Sequence, residues 1–185
     1  MLAFDSMNKR ATRVVFLDIN GVLSPFGIGY PALDAECLGY ARRLAERALI
    51  VLTSSWPVDA ARDYGIPVDD ALRDDERRAP ERDRLRGIAR YLAEHPEVEH
   101  WVSIDDDYQL RELRAMARRG EVLPTLMVDE SRFIRTDWTF IDAFEDFDCQ
   151  PEGAGLTRAV YRRALNKLGL VPGSPFPEPR HMRRL

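Results

Sequence analysis

One stretch constrains this chain more than any other: Arg13 to Leu23, RVVFLDINGVL. Its run from Val14 to Leu17 is short, apolar and unalternating, the pattern of a strand buried on both faces of a sheet. Asp18 ends the run. A carboxylate at the end of a buried strand is costly to desolvate unless it is paired, hydrogen-bonded or bound to a metal. Gly21 follows closely and allows both a sharp turn and a close backbone approach to a ligand. Ligands of open α/β sheets bind at the carboxyl ends of the strands, so Asp18 falls where a site is expected.

Two later runs end in the same way. Leu49 to Leu52 reads as a strand closed by Thr53, Ser54, Ser55 and Trp56. Small hydroxyls at a strand end can donate to an anion, or they can cap the helix that follows. Trp101 to Ile104 reads as a third buried strand, closed by Asp105, Asp106 and Asp107. Adjacent carboxylates repel one another, which favours a bound cation. Asp107 also suits the cap of a helix starting near Tyr108.

Helical patterns separate these strands. Asp34 is a good N-cap for a helix carrying Leu38, Ala41, Leu44, Ala45 and Ala48, and another helix, about Arg82 to Glu94, carries Leu85, Ile88, Ala89 and Leu92 on one face. Arg82, Arg84 and Arg86 open the second of these as solvated side chains or as anion ligands.

In this order, Asp18-Ile-Asn20-Gly-Val-Leu, Thr53-Ser54, Arg84 and Asp105-Asp106 resemble the four motifs of the haloacid dehalogenase (HAD) superfamily of phosphohydrolases, over roughly residues 13 to 170. The resemblance implies an α/β, three-layer Rossmann-like fold with a mainly parallel central sheet. It implies that Asp18 is the nucleophile, that Thr53, Ser54 and Arg84 hold the phosphoryl group beside Gly21, and that Asp18, the Asn20 carbonyl, Asp105 and Asp106 hold Mg2+. Arg82 and Arg86 are rivals of Arg84. The intervals after the first motif and between the second and third leave no room for a separate cap domain, which in this superfamily often goes with large substrates such as nucleic-acid ends or phosphoproteins.

Asn20 departs from the pattern. The superfamily has an Asp there, which protonates the leaving group and then activates water; an amide does neither. General acid-base catalysis is worth about 10²- to 10⁴-fold, so metal binding is expected intact and turnover weak unless the leaving group is good or another acid substitutes. The alternative reading is a catalytically degenerate HAD domain that binds phosphate and metal as a regulatory module. A receiver domain is disfavoured: its acidic pair would lie near the first strand and a Lys on the last.

At 185 residues and 45% apolar content the chain suits one domain. The expected layout is an N-terminal extension over 1–12, the HAD-like domain over 13–170, and a flexible Pro-rich, basic tail over 171–185. A net charge of -4 provides no general attraction to nucleic acid or anionic membrane, although a local patch is compatible with it. A phosphorylated partner, small or macromolecular, is expected. With no apolar run of membrane-spanning length and no signal-like N-terminus, the expected location is cytoplasmic, where Cys37 and Cys149 are free thiols.

The remaining segments are read as follows. Ser24 to Leu33 is a loop in which Phe26 and Tyr30 either wall a pocket or anchor the chain. A small strand is expected near Ile66 to Val68, and the charged run from Asp69 to Asp83 is expected on the solvated surface. A strand is expected at about Val122 to Val128, then a less regular segment to Gly155. Gly155-Leu156-Thr157 opens a last helix that Gly169 stops, an ending similar to that of small HAD domains linked to RNA-repair proteins.

Overall fold

The computed structural model describes residues 12–24, 32–106, 109–136 and 155–170. Its centre is a five-stranded sheet in the order β3-β2-β1-β4-β5. The strands are β1 (Arg13–Leu17), β2 (Leu49–Leu52), β3 (Asp70–Ala71), β4 (His100–Asp105) and β5 (Phe133–Arg135), and every neighbouring pair is parallel. Seven α-helices accompany them among the described residues: α1 (Ala35–Ala45), α2 (Val58–Asp63), α3 (Asp74–Arg77), α4 (Glu81–Glu94), α5 (Gln109–Arg118), α6 (Pro124–Met127) and α7 (Arg158–Lys167).

The three central strand runs are apolar apart from Ser103 in β4 because both faces are covered. Val15 and Leu17 point into one apolar layer with Ile50, Leu52, Val102 and Ile104, closed over by α1, α2 and α7. Val14 and Phe16 point into the other with Val51, Trp101 and Phe133, under α4, α5 and α6. There the Phe16 ring meets Tyr91 and Trp101 edge to face, with centroids 5.5 and 6.1 Å away. This is the three-layer, Rossmann-like arrangement that the buried strands imply.

Local chemistry sets the helix starts. Asp34 Oδ1 accepts from the Glu36 and Cys37 amides at the head of α1, and Thr157 Oγ1 accepts from Val160 at the head of α7. Gly169, at φ +65°, ends the helical path just beyond α7. Cys37 is buried, and its thiol is pushed up to about 12, first by burial and then by Asp34.

Three expectations need correction. The small strand lies at Asp70–Ala71, not Ile66–Val68: Pro67 has no amide to donate, Val68 N turns back to Ile66 O, and the ladder to β2 begins only at Asp69. The apolar run at Val122 to Val128 forms the helical turn α6, because Pro124 sits at its start with φ already suited to a helix; the strand is Phe133–Arg135, inside the segment read as irregular. Lastly, the charged run is only partly a solvated surface. It holds β3 and α3, and it buries Leu72 and Arg77.

Residues 1–11, the loop around Phe26 and Tyr30, Asp107, Tyr108, Cys149, the segment 137–154 and the tail 171–185 lie outside the described residues. Among the described residues no helix is long and apolar enough to cross a membrane.

Candidate active site

Sheet order reverses at β1: β2 and β3 follow on one side, β4 and β5 on the other. Crevices at such switch points are the usual ligand sites of open parallel sheets. Asp18 follows the last residue of β1 there, and Asp105 ends β4 beside it, with Asp18 N donating to Ile104 O at 3.1 Å. Asp18, Asp105 and Asp106 each offer a carboxylate oxygen within 4.8 Å of the others.

The loop after β1 is a compact turn in which Ile19 O accepts from the amides of Val22, Leu23 and Ser24. Gly21 is required here twice over. Its φ is +66°, and a Cβ on it would come within 2.3 Å of Asp106 Cβ and Oδ2. The turn and the third carboxylate therefore occupy adjoining space that only glycine leaves open.

Packing a cluster of buried carboxylates costs free energy, and Asp18 registers it. Burial, then Asp105, then Asp106 hold its carboxyl well above the ordinary 3.8, while Arg84 and Ser54 act the other way. Arg84 Nη1 lies 3.9 Å from Asp18 Oδ1 and 3.7 Å from Asp105 Oδ2, and Nη2 pairs with Glu81 in the first turn of α4. Three carboxylates gathered this closely make the cluster suited to a cation.

Of the three arginines opening α4, Arg84 is the one that reaches the carboxylates. Arg82 lies 3.6 Å from Asp83, and Arg86 pairs with Asp83 and Glu121 on the outside of the helix.

On the other side of Asp18, the loop after β2 supplies hydroxyls. Thr53 N donates to Leu17 O, which sets Thr53 beside the end of β1. Thr53 and Ser54 are fully buried. Thr53 Oγ1 has no hydrogen-bond partner among the described residues; Ser54 Oγ stands close enough to Asp18 to favour its ionised form but outside hydrogen-bonding geometry. A buried hydroxyl without a partner costs about 1–3 kcal/mol and fits a site completed by a ligand. Ser55, not Thr53 or Ser54, lines the open cleft of about 350 Å³ that leads to Asp18, together with Asn20, Arg77, Arg78, Ala79, Arg84 and Asp106.

Arg77, Ser103 and Gln109 were not singled out from the sequence. Arg77 is 3% exposed and donates to the carbonyls of Leu72, Ser54 and Trp56 while pairing with Asp74, so it clamps the hydroxyl loop onto the α3 segment. Beside it, Glu76 receives a two-pronged contact from Arg90 of α4, both distances 2.7 Å, and this ion pair is the main reason its carboxyl titrates lower than usual. On the acidic side, buried Ser103 donates to Gln109 Oε1 at 2.6 Å, and Gln109 Nε2 donates to Asp105 Oδ2 at 2.9 Å, fixing that carboxylate. A polar residue at a buried position of WVSID was the available signal for Ser103. Gln109 stands four residues after Asp105 in the chain, a spacing with no signature of its own.

Asn20 sits at the cleft, with its Oδ1 accepting from Trp56 Nε1 at 3.3 Å. Indole is only a donor, so the amide oxygen faces Trp56.

The profile of a family described as the HAD domain in Swiss Army Knife RNA repair proteins matches residues 14–128, more than half of the chain, from β1 to the end of α6. No curated protein and no solved structure matches.

Proposed function

This chain belongs to the family of HAD domains found in Swiss Army Knife RNA repair proteins, and on that premise we propose that it is a magnesium-dependent phosphohydrolase working through an aspartyl-phosphate intermediate. One observation carries the reading: three carboxylates within 4.8 Å of one another, two of them, Asp18 and Asp105, bridged by Arg84, with Asp18 and Asp106 lining an open cleft. Asp18 attacks phosphorus and breaks the bond to the leaving oxygen; water then attacks the acyl phosphate and returns the carboxylate. Thr53 and Ser54, whose buried hydroxyls lack a hydrogen-bond partner among the described residues, and Ser55 on the cleft wall donate to phosphoryl oxygens. Arg84 neutralises both the attacking carboxylate and the transferring group. Asp18, Asp105, Asp106 and the backbone carbonyl of Asn20 would hold Mg2+, which when bound offsets the negative charge of nucleophile and phosphate.

The open cleft accepts phosphorylated substrates, small or macromolecular, nucleic-acid ends among them. Hydrolysis of an aryl phosphate with magnesium tests the proposal, because such a leaving group needs little acid help. Turnover that is lost in Asp18→Ala and rises in Asn20→Asp is the expected result. A second reading rests on Asn20, whose amide cannot transfer a proton: a phosphate- and metal-binding regulatory module. Inert protein and inert Asn20→Asp, with magnesium still bound by calorimetry, would favour it.

A further inference from the structure

Two features of the cleft lie outside the carboxylate cluster, and both concern the group that departs. The first is Asn20, held in place by a relay across the loops. Arg77 Nη1 donates to the Trp56 carbonyl, and the Trp56 indole N–H donates to Asn20 Oδ1. The Trp56 ring is braced edge to face on Tyr64, with centroids 5.5 Å apart. With its oxygen so engaged, the side chain offers the cleft only amide N–H groups, which stabilise negative charge on a leaving oxygen but cannot give it a proton.

The second feature is a cationic wall on the β2 side of the same cleft. Arg78 lines it with an exposed side chain whose nearest carboxylate, Asp74, is 3.9 Å away and itself exposed. Such a contact is weak, so the guanidinium is available to an incoming anion. Arg77 next to it is committed to carbonyls, and Arg84 to the carboxylates.

A leaving group that needs no proton and is met by a guanidinium is a weakly basic anion. We propose, as a deepening of the phosphohydrolase reading on which it rests, that the preferred substrate is a phosphoanhydride. Inorganic pyrophosphate and nucleoside di- or triphosphates are members of that class. Asp18 attacks the terminal phosphorus, the bridging P–O bond breaks, and its electron pair leaves on the departing phosphate, bound by Arg78 and by the amide of Asn20. From hydrogen pyrophosphate, with its proton on the departing phosphate, the group that leaves is a phosphate dianion, whose conjugate acid has a pKa of about 6–7, unlike an alkoxide, which cannot leave without a proton. In the second step water adds to the acyl phosphate, releasing inorganic phosphate, a proton and the Asp18 carboxylate. The second step is common to every substrate, so the base missing at position 20 slows them all alike, and only the first step separates an anhydride from an alkyl ester. The sum for pyrophosphate is one water consumed and two phosphates formed.

The test measures phosphate release with magnesium from pyrophosphate, an aryl phosphate and glycerol 2-phosphate, using the full chain, Asn20→Asp and Arg78→Gln, each checked for folding by thermal melting. The native chain is expected to favour pyrophosphate over glycerol 2-phosphate by at least about 10² in kcat/KM, the lower end of what a general acid contributes. Asn20→Asp should narrow that gap by accelerating the alkyl ester, and Arg78→Gln should raise KM for pyrophosphate by a larger factor than for the aryl phosphate. Aryl phosphate turnover with glycerol 2-phosphate hydrolysed as well as pyrophosphate would overturn this inference alone, as would an Arg78→Gln change that raises both KM values equally. Absence of turnover on every substrate, in Asn20→Asp as well, would overturn the phosphohydrolase reading and this inference with it.

Discussion

The two sides of the cleft are made of opposite charge and held by opposite means. Toward β4 lie carboxylates: Asp18, Asp105 and Asp106, with Asp105 fixed by the Ser103–Gln109 hydrogen bonds. Toward β2 lie hydroxyls and guanidiniums, arranged by Arg77. The acidic side follows directly from strand ends, so its geometry is set by the rigid sheet. The basic side is a set of loops, and it owes its shape to one buried arginine that binds three carbonyls. A phosphate ester needs both sides at once, a cation to approach through and an anion-binding face to rest against. The difference implies that the acidic side resists perturbation by position while the basic side depends on a single clamp.

Asp18→Asn is the largest test of this contrast. Turnover should fall by about 10⁴-fold or more, the scale seen when a nucleophile is removed, read as phosphate release. The same variant should melt higher than the native protein when metal-free near neutral pH. The reason is linkage: the folded carboxyl titrates above its ordinary 3.8, so the folded state binds more protons than the unfolded chain between those two values. Metal-free stability therefore falls as pH rises through that window, and Asp18→Asn escapes the loss. Added magnesium should restore the native melt. A melt independent of both pH and metal would show that the acidic side is not strained.

Next in size is Arg77→Met, which keeps volume and leaves the carbonyls of Ser54, Trp56 and Leu72 without their donor. It should cost about 2–4 kcal/mol in denaturant unfolding and raise KM for phosphate esters in what remains folded. A neutral result would mean that the basic side holds itself. Gln109→Leu probes the other side: removing a partner behind a metal ligand should weaken magnesium about 10- to 100-fold by calorimetry, with less effect on KM for substrate. The smallest effect is expected from Arg86→Ala. Its partners Asp83 and Glu121 are on the outside of α4, and kcat/KM should match the native value, whereas Arg84→Ala should not.

What was legible in the sequence was whatever short-range pattern encodes. β1, β2 and β4 announce themselves as largely apolar runs ending in Asp18, Thr53 and Asp105, because strands covered on both faces bury nearly every side chain. β3 and β5 were not legible. Asp70–Ala71 is too short to carry a period, and Phe133–Arg135 is shorter and more polar than the neighbouring VLPTLMV, whose apolar content belongs to the α6 turn. Arg77 was hidden for another reason. In LRDDERRAPERD it is one arginine among several, and what distinguishes it is a set of carbonyls that only the tertiary fold gathers. Thr53 and Ser54 were legible as hydroxyls closing β2, but not the fact that Ser55 is the one on the cleft wall.

Thr136 closes β5 by donating from N to Asp105 O and from Oγ1 to Gly21 O, both at 3.0 Å, and Leu156 N donates to the next carbonyl, Val22 O, at 2.8 Å. Thr136 and Leu156 are thus tied to consecutive residues of the β1 loop. One short turn therefore fastens two segments that are distant in the chain, so whatever displaces that turn is transmitted to the end of β5 and to the approach of α7 together.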